Sequence, residues 1–392
     1  MMDMCGFLKS YKRNHYKGMA FIQKKKEREE DGKKKKSAFR EWVDAVAFAV
    51  VAATIIRWLL LEAFTIPTPS MEGTLLVNDF LFVSKIHYGP RTPKTPLQVP
   101  LTHQKIWGTD VPSYLDWLEL PSYRLPGLSE VKRDDVVVFN FMNEFQYPTD
   151  LKTNYIKRCV GMPNDVIEVR DKQVYVDGKK AKNPEHMQFL YIIDTKQQLS
   201  ERIVEQYSLE RQLAEAGSRP YQVVGQQYRY YLHLEPGVAK KLEALSFVTK
   251  VTRRDVQKGR SVSNIFPSAE LGWNQDWYGP IKIPAEGMII QLSKENLIKY
   301  GSTIVNFEGL ENPELKEGKL FIAGKPVDSY TFTQNYYFMM GDNRDNSLDS
   351  RFEGFVPADH VVGKALFIWL SVNNYGGLGD RIRWSRIFSG ID

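Results

Sequence analysis

Apolar residues run unbroken from Ala45 to Ile56, inside a largely apolar stretch from Val43 to Leu61 with Asp44 near one end and Arg57 near the other. The unbroken core is short against the roughly 20 residues a spanning helix needs. Polar groups near the ends reach the interface by snorkelling, and Trp42 and Trp58 suit interfacial belts. The pattern predicts a membrane helix over 42–62. Lys33 to Lys36 precede it, which places the N-terminus in the cytosol and the rest of the chain outside. A buried core helix sits poorly beside such a basic run. A cleaved leader would have far too long a basic region, with Ala47-Phe48-Ala49 at the wrong end of the apolar run.

Beyond the anchor the pattern shortens to strand length. Leu75 to Val83 reads as buried strand with a turn signal at Asn78-Asp79. Pro90 to Pro126 is proline-rich, with scattered Trp107, Tyr114, Trp117 and Tyr123. It predicts a long irregular loop, either packed on itself or resting on lipid. Strands follow at Asp134 to Phe141 and Asn154 to Val160, then a hairpin from Val166 to Gly178 turning near Asp171. From about Ala181 the texture changes. Helical patches lie within Ser200 to Ala216, strands within Tyr221 to Leu234, and a turn-rich aromatic stretch at Trp273 to Pro280. Strand pattern returns at Leu320 to Ile322, Tyr336 to Met340 and Val361 to Leu370, before a basic-aromatic tail, Arg381 to Phe388. The expected organisation is a basic segment 1–41, an anchor 42–62, a β-rich domain from 63–180 and 330–392, and an inserted α+β domain 181–329. The fold class is mainly β behind one transmembrane helix.

Composition adds little to this, but charge distribution does. Through Arg40 the chain holds 13 cationic and 5 acidic residues, a net +8; the whole chain is +6, so the remainder is −2. A nucleic-acid footprint needs a basic folded face, so that class is disfavoured. Cys5 and Cys159 fall on opposite sides of the anchor, so no intrachain disulfide is expected, and Cys159 reads as a small buried apolar residue.

Candidate chemistry starts at Ile66-Pro67-Thr68-Pro69-Ser70-Met71. Ser70 follows Leu61 by nine positions, an extended reach of about 30 Å at most, so it works close to the membrane surface. A serine hydroxyl needs a base. Lys157, in Tyr155-Ile156-Lys157-Arg158-Cys159, offers one. Strand alternation puts Tyr155 and Cys159 on its face and turns Arg158 to the other. Loss of solvent there would lower the lysine pKa; an ordinary edge-strand lysine is the bland alternative. Gly341-Asp342-Asn343-Arg344-Asp345-Asn346-Ser347-Leu348-Asp349-Ser350-Arg351 is dense in turn formers and charge. It reads as a polar loop or, with its alternating Asp and Asn, a Ca²⁺ loop that lacks the twelfth-position glutamate. The six histidines show no zinc spacing, no glycine-rich phosphate loop is present, and no cofactor or metal is expected. A Ser-His-Asp triad using His87 or His360 stays open, since triads assemble in space.

Four segments together resemble a bacterial type I signal peptidase: Ile66 to Leu75, Arg133 to Phe139, Tyr155 to Asp165, and Gly341 to Arg351. Val361 to Ala365 and Arg381 to Arg386 also fit, and the segments cover somewhat under half of the chain. The resemblance implies Ser70 as nucleophile and Lys157 as general base of a Ser-Lys dyad. It implies that Ser347 orients the lysine amine, and that Thr68 joins the Ser70 N–H in an oxyanion hole. Asp342, Arg344, Asp349 and Arg351 would brace the site, with Arg158 paired to one of the aspartates. The implied partners are preprotein signal peptides, the bilayer and the export machinery, at the outer face of the bacterial cytoplasmic membrane. The implied route passes through an acyl-enzyme, with the substrate adding to a strand edge near Phe64 to Ile66 and before Lys157. Pro69 departs from the family's usual glycine, and Glu72-Gly73 from an apolar-proline pair. Two other classes remain: a membrane-anchored binding protein with an inactive site, and a Ser-Lys peptidase of the self-cleaving repressor kind, which this chain's anchor and lack of a DNA-reading domain disfavour.

Overall fold

A computed structural model describes residues 37–391 apart from Arg219, Gly376 and Leu378. The expected basic segment lies mostly outside the described residues, as does Cys5. The chain divides into two compact units between Thr54 and Ile55. The first holds Ala38 to Thr54 of the helix Ala38–Leu59, which the apolar run mostly forms and which contains an 18-residue stretch of mean hydropathy 1.7 and no buried residue. At 1.5 Å per residue its 22 residues span about 33 Å, enough for a hydrocarbon core. The helix starts at Ala38 and stops at Leu59, short of the predicted 62, because Leu61–Thr65 is taken up as a strand.

The second unit is built on a seven-stranded antiparallel sheet. Its first four strands are β1 (Leu61–Thr65), β2 (Asp79–Ser84), β3 (Val136–Asn140) and β4 (Asn154–Gly161). Across the sheet the order is β1, β2, Val361–Ser371, β3, β4, Tyr336–Met340 and Val356–Pro357. The run Val136 to Phe139 is apolar at every position because both sheet faces are covered. Val136 and Val138 pack with Ile66, Met71, Leu75 and Leu81, while Val137 and Phe139 pack with Tyr88, Cys159, Met339 and Val361. Continuous apolar runs of this length mark strands buried on both sides.

Leu75 to Asn78 is a turn, where strand was expected. Asn78 is left-handed (φ 65°) and the Asp79 carboxylate accepts the Leu76 N–H at 2.8 Å, so the ladder begins only at Asp79. The hairpin of Val166–Arg170 and Gln173–Val176 turns at Asp171 and Lys172, both at positive φ, as predicted. Residues 90 to 126 form an irregular loop with only isolated bridges, Arg91 to Arg124 and Gln98 to Tyr114 among them.

Segment 181–329 holds both helices and strands. Strands Phe189–Thr195, Gln222–Val224, Gln227–Leu234 and Val248–Arg253 form a separate sheet over a core that includes Ile193, Tyr230, Leu232 and Leu242. The helices Glu201–Gln206 and Glu210–Glu215 fall where the helical patches were read. By contrast, Trp277–Lys282 is a strand where only turns were expected. It pairs with Val166–Arg170, and the Asn274 side chain caps its entry by accepting the Asp276 and Trp277 N–H groups, each at 3.0 Å.

Candidate active site

Ser70 lies in a 3₁₀ turn, Pro69–Met71, held between the buried side chains of Ile66 and Met71. Pro69 occupies the first helical position, where its fixed φ suits the turn and its missing N–H has no intrahelical partner to lose. The departure from glycine is therefore compatible with the turn. Thr68, extended at φ −129° and exposed, precedes it.

Lys157 comes from β4, opposite Val137. Its Nζ lies 2.8 Å from Ser70 Oγ and 3.0 Å from the Ile156 carbonyl, with the Tyr155 ring 5.3 Å away. The side chain is 4% exposed. Burial lowers its pKa from 10.5 to about 8, against the opposing pull of Asp349 and Asp342. About a tenth of such a lysine is neutral at pH 7 and half at pH 8.

The 341–351 loop closes over this pair. Asn343 donates its N–H to the Ser70 carbonyl (3.1 Å) and its Nδ2–H to the Pro69 carbonyl (3.2 Å), so its amide grips the serine turn twice. Gly341 is needed for close approach: a Cβ there would stand 2.3 Å from Ser347 Oγ and 2.5 Å from the Ser70 carbonyl oxygen.

Two buried bidentate ion pairs fasten the loop. Arg158 donates to Asp342 through Nε (2.9 Å to Oδ1) and Nη2 (2.8 Å to Oδ2), and Thr74 Oγ1 donates to the same carboxylate at 2.6 Å. Arg351 likewise grips Asp349 through Nε (2.9 Å) and Nη2 (2.8 Å). Asp349 also accepts the Gly341 N–H at 3.1 Å and the Arg351 N–H at 3.2 Å. Burial pushes the Asp349 carboxyl upward, but the Arg351 charge and its hydrogen bonds outweigh that and hold it below the ordinary aspartate value.

Two residues stand apart from the roles the resemblance implied. Lys157 has Ser70 and Ile156 as hydrogen-bond partners, and Ser347 is not among them. The Ser347 Oγ is buried and lies against Gly341. Arg344 joins through its backbone, donating to the Gln188 carbonyl at 3.0 Å and accepting from Arg351 Nη2 at 2.7 Å. Its side chain is buried with Nε and Nη1 unpartnered, and burial, then the nearby Arg351 charge, lower its pKa to about 10.

Neither histidine left open touches Ser70. His87 Nδ1 meets Ser84 Oγ at 2.6 Å, and His360 sits between Asp359 and Lys152. A Ca²⁺ role for the 341–351 loop conflicts with its geometry, since Asp342 and Asp349 both face arginines. Burial raises the Cys159 thiol pKa well above its usual range, which makes it an inert apolar residue.

Neither local pattern nor the resemblance gives Asn343, Gly341, Thr74 or Glu72 a role, although all lie within the segments that carry the resemblance. Asn343 carries the one usable signal, an amide beside Gly341 in a loop otherwise dominated by charge.

The family model described as signal peptidase, peptidase S26, matches residues 39–226 and 302–370. Among curated relatives, Signal peptidase I of Buchnera aphidicola subsp. Acyrthosiphon pisum is 27% identical over 323 residues, covering 82% of this chain and 72% of the relative. Signal peptidase I of Rickettsia felis is 27% identical over 337 residues, 86% of this chain and 81% of the relative.

Proposed function

Because the chain belongs to the signal peptidase family, peptidase S26, we propose that it removes N-terminal signal peptides from exported preproteins with Ser70 as nucleophile and Lys157 as general base. The protein is a serine peptidase. The observation that carries the residue assignment is the 2.8 Å contact between Ser70 Oγ and a buried lysine amine of lowered pKa.

In this mechanism neutral Lys157 takes the Ser70 proton as Oγ attacks the scissile carbonyl. The developing oxyanion is met by the Ser70 N–H and the Thr68 hydroxyl. The lysine ammonium then protonates the departing amine as the C–N bond breaks, leaving an acyl ester on Ser70. Water, deprotonated by Lys157, cleaves that ester and restores the hydroxyl. The substrate lies extended against open backbone. β1 is an edge strand, and Tyr336–Met340 pairs with β4 only over Arg158 to Gly161, so Asn154 to Lys157 are unpaired on that side.

The membrane setting rests on the apolar helix and on the 90–126 loop. Trp58 Nε1 donates to the Arg91 carbonyl at 2.7 Å and Arg57 Nη1 to the Thr102 carbonyl at 3.3 Å, tying the loop to the last helical turn. Trp107, Trp117 and Tyr123 project from it largely exposed, which suits the interface where such a helix leaves the bilayer. In vesicles carrying brominated lipid, Trp107 and Trp117 fluorescence is expected to be quenched. Equal emission in brominated and plain vesicles would refute lipid contact.

The functional test is N-terminal sequencing of the product when a purified preprotein meets the full chain in detergent. The expected new N-terminus lies directly after the signal peptide, and Ser70→Ala should leave the precursor intact. Unimpaired cleavage at that bond by Ser70→Ala would remove Ser70 from the mechanism. No cleavage by the wild-type chain would favour the binding-protein alternative.

A further inference from the structure

The serine turn is held from a second side by the segment beyond residue 181. Glu72, two residues after Ser70, closes the turn by donating its N–H to the Pro69 carbonyl at 3.1 Å. Its carboxylate is buried and gripped bidentately by Arg211, through Nε to Oε1 at 3.0 Å and through Nη2 to Oε2. Arg211 belongs to the helix Glu210–Glu215, 139 positions along the chain.

That helix is firmly mounted. Leu209 before it is buried in the core of the separate sheet, and Gln212 clasps the His233 backbone through both amide atoms, at 2.9 and 2.8 Å. Gly73 adds a second contact: at φ 98° it passes so close to the His186 carbonyl that a Cβ would lie 2.2 Å from that oxygen. The same segment also reaches the 341–351 loop, where Gln188 donates its N–H to the Asp342 carbonyl (2.9 Å) and Leu190 donates to Asp345 (2.8 Å).

We propose that Arg211 is a positioning residue for the reaction: by holding Glu72 it fixes the Ser70 turn against Lys157, so the inserted segment is an integral part of the active site. Asn343 grips Pro69 and Ser70 from one side, and Arg211 grips Glu72 from the other. Removing one partner leaves a buried charge that must move or protonate. Burial already raises the Glu72 pKa even beside Arg211. A displacement near 1 Å at a reacting atom costs about 100-fold in rate.

This inference rests on Ser70 being the nucleophile, and its test separates the two. With the full chain in detergent, Arg211→Met and Glu72→Gln are each expected to lower kcat by about tenfold or more, with KM within threefold. The double variant should be no worse than either single one. A second readout places Cys at 70, as Ser70→Cys in a Cys5→Ser chain, and follows its alkylation by iodoacetamide against pH. Adding Arg211→Met should move the midpoint upward, because the thiolate loses its fixed lysine neighbour. If Arg211→Met fails to fold, Arg211→Lys, which keeps the charge but loses the fork, carries the test with an expected kcat loss of about threefold or more. Unchanged kcat and an unchanged alkylation midpoint would overturn the proposal. An active Ser70→Ala would instead overturn the nucleophile assignment.

Discussion

Lys157→Met is expected to reduce kcat/KM for signal-peptide cleavage by about 10³-fold or more, since it removes the base in contact with the serine. In the wild-type chain kcat/KM should climb about tenfold per pH unit below the lysine pKa of about 8 and level off above it. A flat profile between pH 6 and 9 would count against a lysine base. The same residue makes a stability prediction of opposite sign. Its folded pKa, about 8, lies below the unfolded value of 10.5, so below pH 8 the folded state carries the full burden of a buried ammonium. Between pH 8 and 10.5 the unfolded chain holds the extra proton, and wild-type stability rises with pH. Lys157→Met should therefore be more stable than wild type at pH 7, by about 3 kcal/mol at most, and the advantage should vanish as pH rises to 10.5. An inactive variant that is also less stable than wild type at pH 7 would show that Lys157 packs as a structural residue.

Arg351→Met should be the most destabilising of the loop substitutions, at about 3–5 kcal/mol, because it leaves the Asp349 carboxylate buried and unpaired. Both side chains are almost wholly buried, at 2% and 0% exposure, so solvent does not screen the loss. Removing both charges, as Asp349→Asn with Arg351→Met, should restore a large part of it. Denaturant unfolding of the full chain measures this, and a single-variant loss below about 1 kcal/mol would contradict the reading. Activity should fall with it, since Asp349 also holds Gly341, which passes directly against the serine turn. In acid the direction follows from the lowered Asp349 pKa. The pair's contribution is present above the unfolded aspartate value and is lost as pH falls through the folded one.

Several elements were legible in the chain because their signals are local. The helix Ala38–Leu59 is a matter of consecutive apolar residues, and the Asp171 hairpin of two residues that tolerate positive φ. Trp277–Lys282 was not legible, because its edge forms only by pairing with Val166–Arg170, more than a hundred residues earlier. Leu75 to Asn78 was misread for a related reason. A side-chain acceptor, Asp79, competes there with the strand ladder, and apolar pattern alone does not register that competition.

The site divides in the same way. Strand alternation set Lys157 between Tyr155 and Cys159, and the resemblance pointed to Ser70; both inferences need only neighbours in sequence. How far burial lowers the lysine pKa, that Asn343 holds the serine carbonyl, and that Ser347 is not a partner of the amine depend on the packing of remote segments. By itself the sequence determined an apolar helix, a β-rich body and the residue types for a serine nucleophile with a lysine base, since these follow from local pattern and side-chain chemistry. Only the tertiary structure decided which lysine nitrogen meets which hydroxyl, and that Glu72 would find its counter-ion in Arg211. Desolvation and charge pairing act through space, and here they join residues 87 and 139 positions apart.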